Sequence, residues 1–269
     1  MNESPGDRGI QTIAQMFERA GSARRSAFLP YFPIGYPDYA GSLDAIEAMA
    51  GENVDGFEIG MPFSDPLADG PTIQAATQIA LENGITVRRC IEAVAELRQR
   101  GVDQPLLMMG YLNPLLAYGA AAFVRDAARA GASGLIVPDL PPEEIGIFSA
   151  ACAQEGIALV LFLAPTSTEE RIRLVAERAT GFIYVVSLTG VTGVRDELPA
   201  EVPAFIARVR AHTAMPLVLG FGISTPRHVQ SVNGLVEGYI VGSALVRAGA
   251  AGVEPVRQLA QELKPGIGA

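Results

Sequence analysis

ALVLFLAPTSTEERIRLVAERATGFIYVVSL, Ala158 to Leu188, has two apolar runs separated by an amphipathic segment. The runs LVLFLA and FIYVV are nearly free of polar residues, which implies burial on both faces, the condition of strands in a parallel sheet. Between them Thr168–Arg178 has a helical pattern, so the stretch reads as strand, helix, strand. The same alternation extends in both directions. Upstream, strands read at Ala27–Gly35, Gly56–Gly60, Leu106–Leu112 and Gly134–Val137. Downstream they read at Leu217–Gly220 and Gly238–Val241. Helical patterns fall at Leu43–Ala50, Thr72–Glu82, Val87–Arg100, Ala120–Ala130, Glu143–Gln154, Pro203–His212 and Pro255–Leu263. Ile13, Met16 and Phe17 mark one face of a further helix ahead of the first strand.

Eight strands, each followed by a helix or helical turn, within 269 residues predict a closed (β/α)8 TIM barrel. An open doubly wound sheet is the alternative. No linker, low-complexity tract or composition shift divides the chain. The expectation is one domain over residues 1–269, with the barrel at about 27–263 and an extra N-terminal helix.

Composition narrows the function. A net charge of −9 argues against nucleic acid or an anionic membrane as partner. The polar start MNESPGDRG has no apolar core of a signal peptide, and no run of roughly eighteen apolar residues suits a membrane span. Cys90 and Cys152 read as reduced core thiols, with a disulfide between them the alternative, so the expected location is cytoplasmic. Lys264 is the only lysine, which excludes a Schiff-base aldolase built on a barrel lysine. His212 and His228 form no metal-ligand pattern, and neither a P-loop nor a dinucleotide fingerprint is present. The expectation is therefore no metal and no cofactor, with carboxylates and tyrosines moving protons.

In such barrels the reacting groups lie at the C-terminal ends of strands. Strand seven runs into GFGIS, Gly220–Ser224, and strand eight into VGSAL, Val241–Leu245. Loops at these two places recurrently bind phosphate, and glycine lets backbone N–H groups approach it. Ser243 adds a hydroxyl, and TGVTG, Thr189–Gly193, is placed to close over the site. The same glycines would also serve as plain tight turns. Arg195 reads as a surface residue. At the other end of the site, strand two carries Glu58 in DGFEIG, where period two directs Phe57 and Ile59 outward and Glu58 into the barrel. Burial there raises a carboxyl toward neutrality and suits it to proton transfer; a structural glutamate in a buried network is the other reading. The loop MPFSDPLADGP, Met61–Pro71, leaves the same strand and carries Asp65 and Asp69. A buried and a loop-borne carboxylate make an acid/base pair, but either aspartate also suits a turn or helix cap.

FEIGMPFSDPLADGPTIQ, Phe57–Gln74, closely resembles the signature of the tryptophan synthase alpha-subunit family. The resemblance continues through YLNPLLAYG, VPDLPPEE, APTST, GVTG, GFGIS and VGSAL, from about Phe28 to Leu245. It implies retro-aldol cleavage of indole-3-glycerol phosphate, with Glu58 and Asp69 as catalytic carboxylates and Tyr184 beside them. It places the phosphate at Gly193, Gly222, Gly242 and Ser243. It lines the substrate pocket with Tyr31, Met109, Tyr111, Ile136, Leu163 and Phe221, and gives Thr192 to the lid. It implies a beta-subunit partner that carries pyridoxal phosphate, in an alpha2-beta2 assembly. Two positions depart from the family pattern. Leu188 stands where many members have arginine, and Tyr31 where some have phenylalanine. The competing readings are a stand-alone lyase with the same site, another phosphosugar barrel, and a non-catalytic regulatory barrel.

Overall fold

The structure is a computed structural model and describes residues 8–186, 201–220 and 222–264. The chain opens with α1 (Arg8–Ser22), β1 (Ala27–Pro33), α2 (Tyr39–Gly51), β2 (Phe57–Gly60), α3 (Pro71–Glu82) and α4 (Val87–Gln99). Next come β3 (Leu106–Met109), α5 (Leu112–Tyr118), α6 (Ala120–Ala130), β4 (Gly134–Ile136), α7 (Gly146–Glu155), β5 (Ala158–Leu163) and α8 (Glu169–Arg178). The last part holds β6 (Ile183–Val186), α9 (Glu201–Arg210), β7 (Leu217–Gly220), α10 (Pro226–Val232), β8 (Gly238–Val241), α11 (Ser243–Gly249) and α12 (Val253–Leu263).

The eight strands pair in sequence order, all parallel, and close into the expected barrel when β8 returns to β1. The closing register sets Ala27 against Gly238 and Pro30 against Val241. Strands whose every residue is buried, such as AFLPYFP and LLMM, face side chains inside and helices outside. That double burial is why their sequences read as unbroken apolar runs rather than alternating ones.

The helix α1 covers the end of the barrel where strands begin. Ile13, Met16, Phe17 and Ala20 recur at three- and four-residue spacing and are all buried. Phe17 meets Phe182 edge to face at 6.0 Å, just ahead of β6. Gly9 and Ile10 donate backbone N–H groups to the Gly156 carbonyl, just ahead of β5. Nearby, Arg25 forms a bidentate pair with Asp55 at 2.5 and 2.7 Å, and Phe28 N donates to the same carboxylate at 2.8 Å. This pair ties β1 to the turn before β2.

Several boundaries differ from expectation. The third strand stops at Met109, not Leu112, because Leu112 already begins α5. Its N–H is taken by the Asp139 carboxylate at 2.8 Å, from the loop after β4. The seventh helix begins at Gly146 rather than Glu143, since Pro141 and Pro142 hold the preceding segment in a turn. Cys90 and Cys152 are both buried and unpaired thiols. No helix among the described residues is long and apolar enough to cross a membrane.

Candidate active site

Glu58 is second in β2 and only 3% exposed. Its sheet neighbours are Tyr31 on β1 and Leu107 on β3. The Tyr184 hydroxyl, from β6, is hydrogen-bonded to it. Groups on β1, β2 and β6 interact this way only through the barrel interior, so Glu58 points inward as its strand period requires. Burial, and then the charge of Asp69, push the Glu58 carboxyl up to about 8; the Tyr184 hydrogen bond works against this.

Asp69 arrives on the loop after β2 and is half-buried. The Tyr111 hydroxyl donates to Asp69 Oδ2 at 3.0 Å and accepts the Ala68 N–H, also at 3.0 Å. One phenol thus pins two consecutive loop residues, and Phe63 packs on its ring at 5.3 Å. Burial raises Asp69 to about 6, against the lowering effect of that hydrogen bond. The N-cap of α3 is Gly70 with no side-chain cap, so Asp69 is not spent on capping. Asp65 is different: it is exposed, accepts from Ser64 Oγ at 2.5 Å, and its carbonyl closes a turn with Leu67 N–H. It is a turn residue.

Two glycines at strand ends make room for the tyrosines. A Cβ on Gly220 would lie 2.2 Å from the Tyr184 hydroxyl, and one on Gly60 would lie 2.4 Å from the Tyr31 hydroxyl. Phe162 stacks on Tyr184 with centroids 4.6 Å apart. Glu58, Asp69, Tyr31, Tyr111 and Tyr184 therefore form one group. Burial and the nearby carboxylates raise the hydroxyls of Tyr31 and Tyr184 well above the usual phenol value.

Gly222 follows β7 with φ +86°, a conformation open to glycine, and Gly242 and Ser243 lead into α11. Met109 and Ile136 end β3 and β4 as register partners. Leu163 ends β5 and lines a cleft of about 540 Å³ with Pro138, Asp139, Phe162 and Val186. The cleft's link to the carboxylate group is Phe162, which stacks on Tyr184; neither Glu58 nor Asp69 lines it. Thr192, Gly193, Phe221, Leu188 and Arg195 lie outside the described residues. Sequence reasoning missed the Phe162 and Phe63 contacts and the part Gly60 and Gly220 play. A glycine closing an otherwise bulky apolar strand was the available signal.

Comparison with known proteins agrees with this geometry. The family model described as tryptophan synthase alpha chain matches residues 17–265. A tryptophan synthase alpha chain of Roseiflexus castenholzii is 53% identical over 237 residues, covering 88% of this chain and 91% of the relative. That of Deinococcus radiodurans is 44% identical over 268 residues, covering 98% and 97%. A solved tryptophan synthase structure from Mycobacterium tuberculosis superimposes with TM-score 0.88 at 38% identity, over 93% of this chain and 96% of that one. With the barrel, the carboxylate pair and these matches agreeing, the chain belongs to the tryptophan synthase alpha chain family.

Proposed function

We propose that the chain is a carbon–carbon lyase that cleaves indole-3-glycerol phosphate into indole and glyceraldehyde 3-phosphate, using Glu58 and Asp69. The observation that carries this reading is the pair of unlike carboxylates in one barrel mouth. Glu58 is held neutral to about 8 and Asp69 ionises from about 6. Protonated Glu58 gives its proton to indole C3, which leaves the ring positively charged. Ionised Asp69 at the ring N–H stabilises that charge. The Glu58 carboxylate then takes the proton from the hydroxyl on the carbon attached to C3. As that oxygen becomes an aldehyde, the carbon–carbon bond breaks and its electrons return to the ring. Glu58 ends protonated, as it began. Every proton moves on side chains of this chain, so the mechanism calls on no metal or cofactor of its own.

Tyr184 orients Glu58 through its hydrogen bond. Gly222, Gly242 and Ser243, with Gly193 beyond the described residues, offer backbone N–H groups and a hydroxyl to the phosphate. Met109, Ile136, Leu163 and Phe221 supply apolar walls for indole, and Thr192 serves the lid. The partner is a tryptophan synthase beta subunit, in which pyridoxal phosphate resides. Family membership supports that partner, as does the exposed Leu67 (93% exposed), an apolar side chain held in the same loop as Asp69.

The test is indole release from indole-3-glycerol phosphate by the purified chain, alone and with a beta subunit added. Slow release that accelerates with the partner is expected. Folded protein that releases none under either condition would overturn the lyase reading.

A further inference from the structure

Tyr31 is the register partner of Glu58, so the two side chains enter the barrel side by side. Its ring spans the mouth from β8 toward β2. A Cβ on Gly242 would lie 3.3 Å from ring atom Cδ1, while a Cβ on Gly60 would overlap the hydroxyl. Gly60 therefore leaves a place for the phenol oxygen itself, not only for an aromatic ring. No described residue hydrogen-bonds to that oxygen. Every fully buried side-chain polar atom among the described residues has a partner. The Tyr31 oxygen is thus not sealed in; it opens into the mouth. Burial and the charge of Asp69 keep its proton on, so at neutral pH it both donates and accepts.

The Tyr31 ring therefore lies between the carboxylates, where the carbon–carbon bond breaks, and Gly242, where the phosphate is proposed to sit. The three-carbon chain of the substrate must cross this interval, and it carries hydroxyl groups. An apolar ring face suits the carbon backbone of that chain, and the phenol oxygen suits its hydroxyls. We propose that the Tyr31 hydroxyl hydrogen-bonds a hydroxyl of the substrate's glycerol chain and thereby selects the hydroxylated chain over a deoxygenated one. This inference rests on the lyase reading and adds a specificity residue to it. A phenylalanine at position 31 would keep the ring packing and lose only this bond.

The experiment compares wild type with Tyr31→Phe, a change that removes one oxygen and leaves the packing intact. Two quantities are read: KM for indole-3-glycerol phosphate, and the inhibition constant of 3-(indol-3-yl)propyl phosphate, which has the same ring and phosphate but no chain hydroxyl. The expected result is a KM raised about three- to tenfold, the loss of one hydrogen bond, with kcat and the inhibition constant nearly unchanged. Equal weakening of both ligands, an unchanged KM, or a loss confined to kcat would overturn the proposal. Wild-type indole release in the same assay tests the underlying reading. Should that fail, calorimetric affinities of the same two molecules for both proteins judge the Tyr31 contact without turnover.

Discussion

At the scale of single residues, the site places a carboxyl where folding alone would not put one. The fold raises Glu58 from its ordinary 4.5 to about 8, so it tolerates the protonated form and resists the charged one. Glu58's own contribution to stability is therefore fully present below pH 4.5 and is lost as pH rises toward 8. Glu58→Gln removes this dependence. The variant should melt higher than wild type at pH 8 and at nearly the same temperature near pH 4, while indole release drops by about two to four orders of magnitude. Thermal melts across that range, beside activity assays, check both parts. In the proposed mechanism Asp69 is ionised and Glu58 protonated, so activity is expected between about pH 6 and about pH 8. The Tyr111 hydrogen bond holds Asp69 down. Tyr111→Phe should accordingly move the acid limb of the kcat/KM profile to higher pH. A profile that merely drops in height, with its limb in place, would leave Tyr111 as loop packing alone.

At the scale of elements, strand ends decide whether the tyrosines reach the carboxylates. Gly220 closes β7 against the Tyr184 ring. Gly220→Ala adds one methyl where Tyr184 now lies, and Tyr184 or the strand must move. Because Tyr184 steadies Glu58, kcat should fall more than tenfold while the protein remains folded; kinetics with a far-ultraviolet circular dichroism spectrum decide it. The strands themselves were legible in the sequence because burial on both faces leaves an unbroken apolar run, as in Ala158–Leu163. The pair Glu58 and Asp69 was legible because charge inside such a run, followed by an acidic loop, is costly without a use. The start of α5 was not. Its cap, Tyr111, makes no side-chain hydrogen bond to the helix it caps, and the acceptor for Leu112 N–H is Asp139, 27 residues later. A cap borrowed from another loop leaves no local mark. Tyr111 itself read as a pocket residue, since its tether to Ala68 and Asp69 depends on how a loop folds back and not on spacing.

At the scale of the whole molecule, stability and chemistry are concentrated at opposite ends of the barrel. Met16 is fully buried under the strand starts, with its sulfur close to Gly56, whereas Glu58 and Asp69 face the other rim. Met16→Ala should cost about 2–5 kcal/mol of stability, read by denaturant titration, and leave KM for the substrate unchanged. A shifted KM would show that the two ends are mechanically coupled. The same arrangement bears on what happens after the bond breaks. With α1 packed across the strand starts and side chains filling the interior, the barrel is a vessel stoppered at its base. A small apolar product formed at the mouth would leave on the side that bears Leu67 and the Asp69 loop. A protein seated on that rim would determine whether the product is shed to water or handed on.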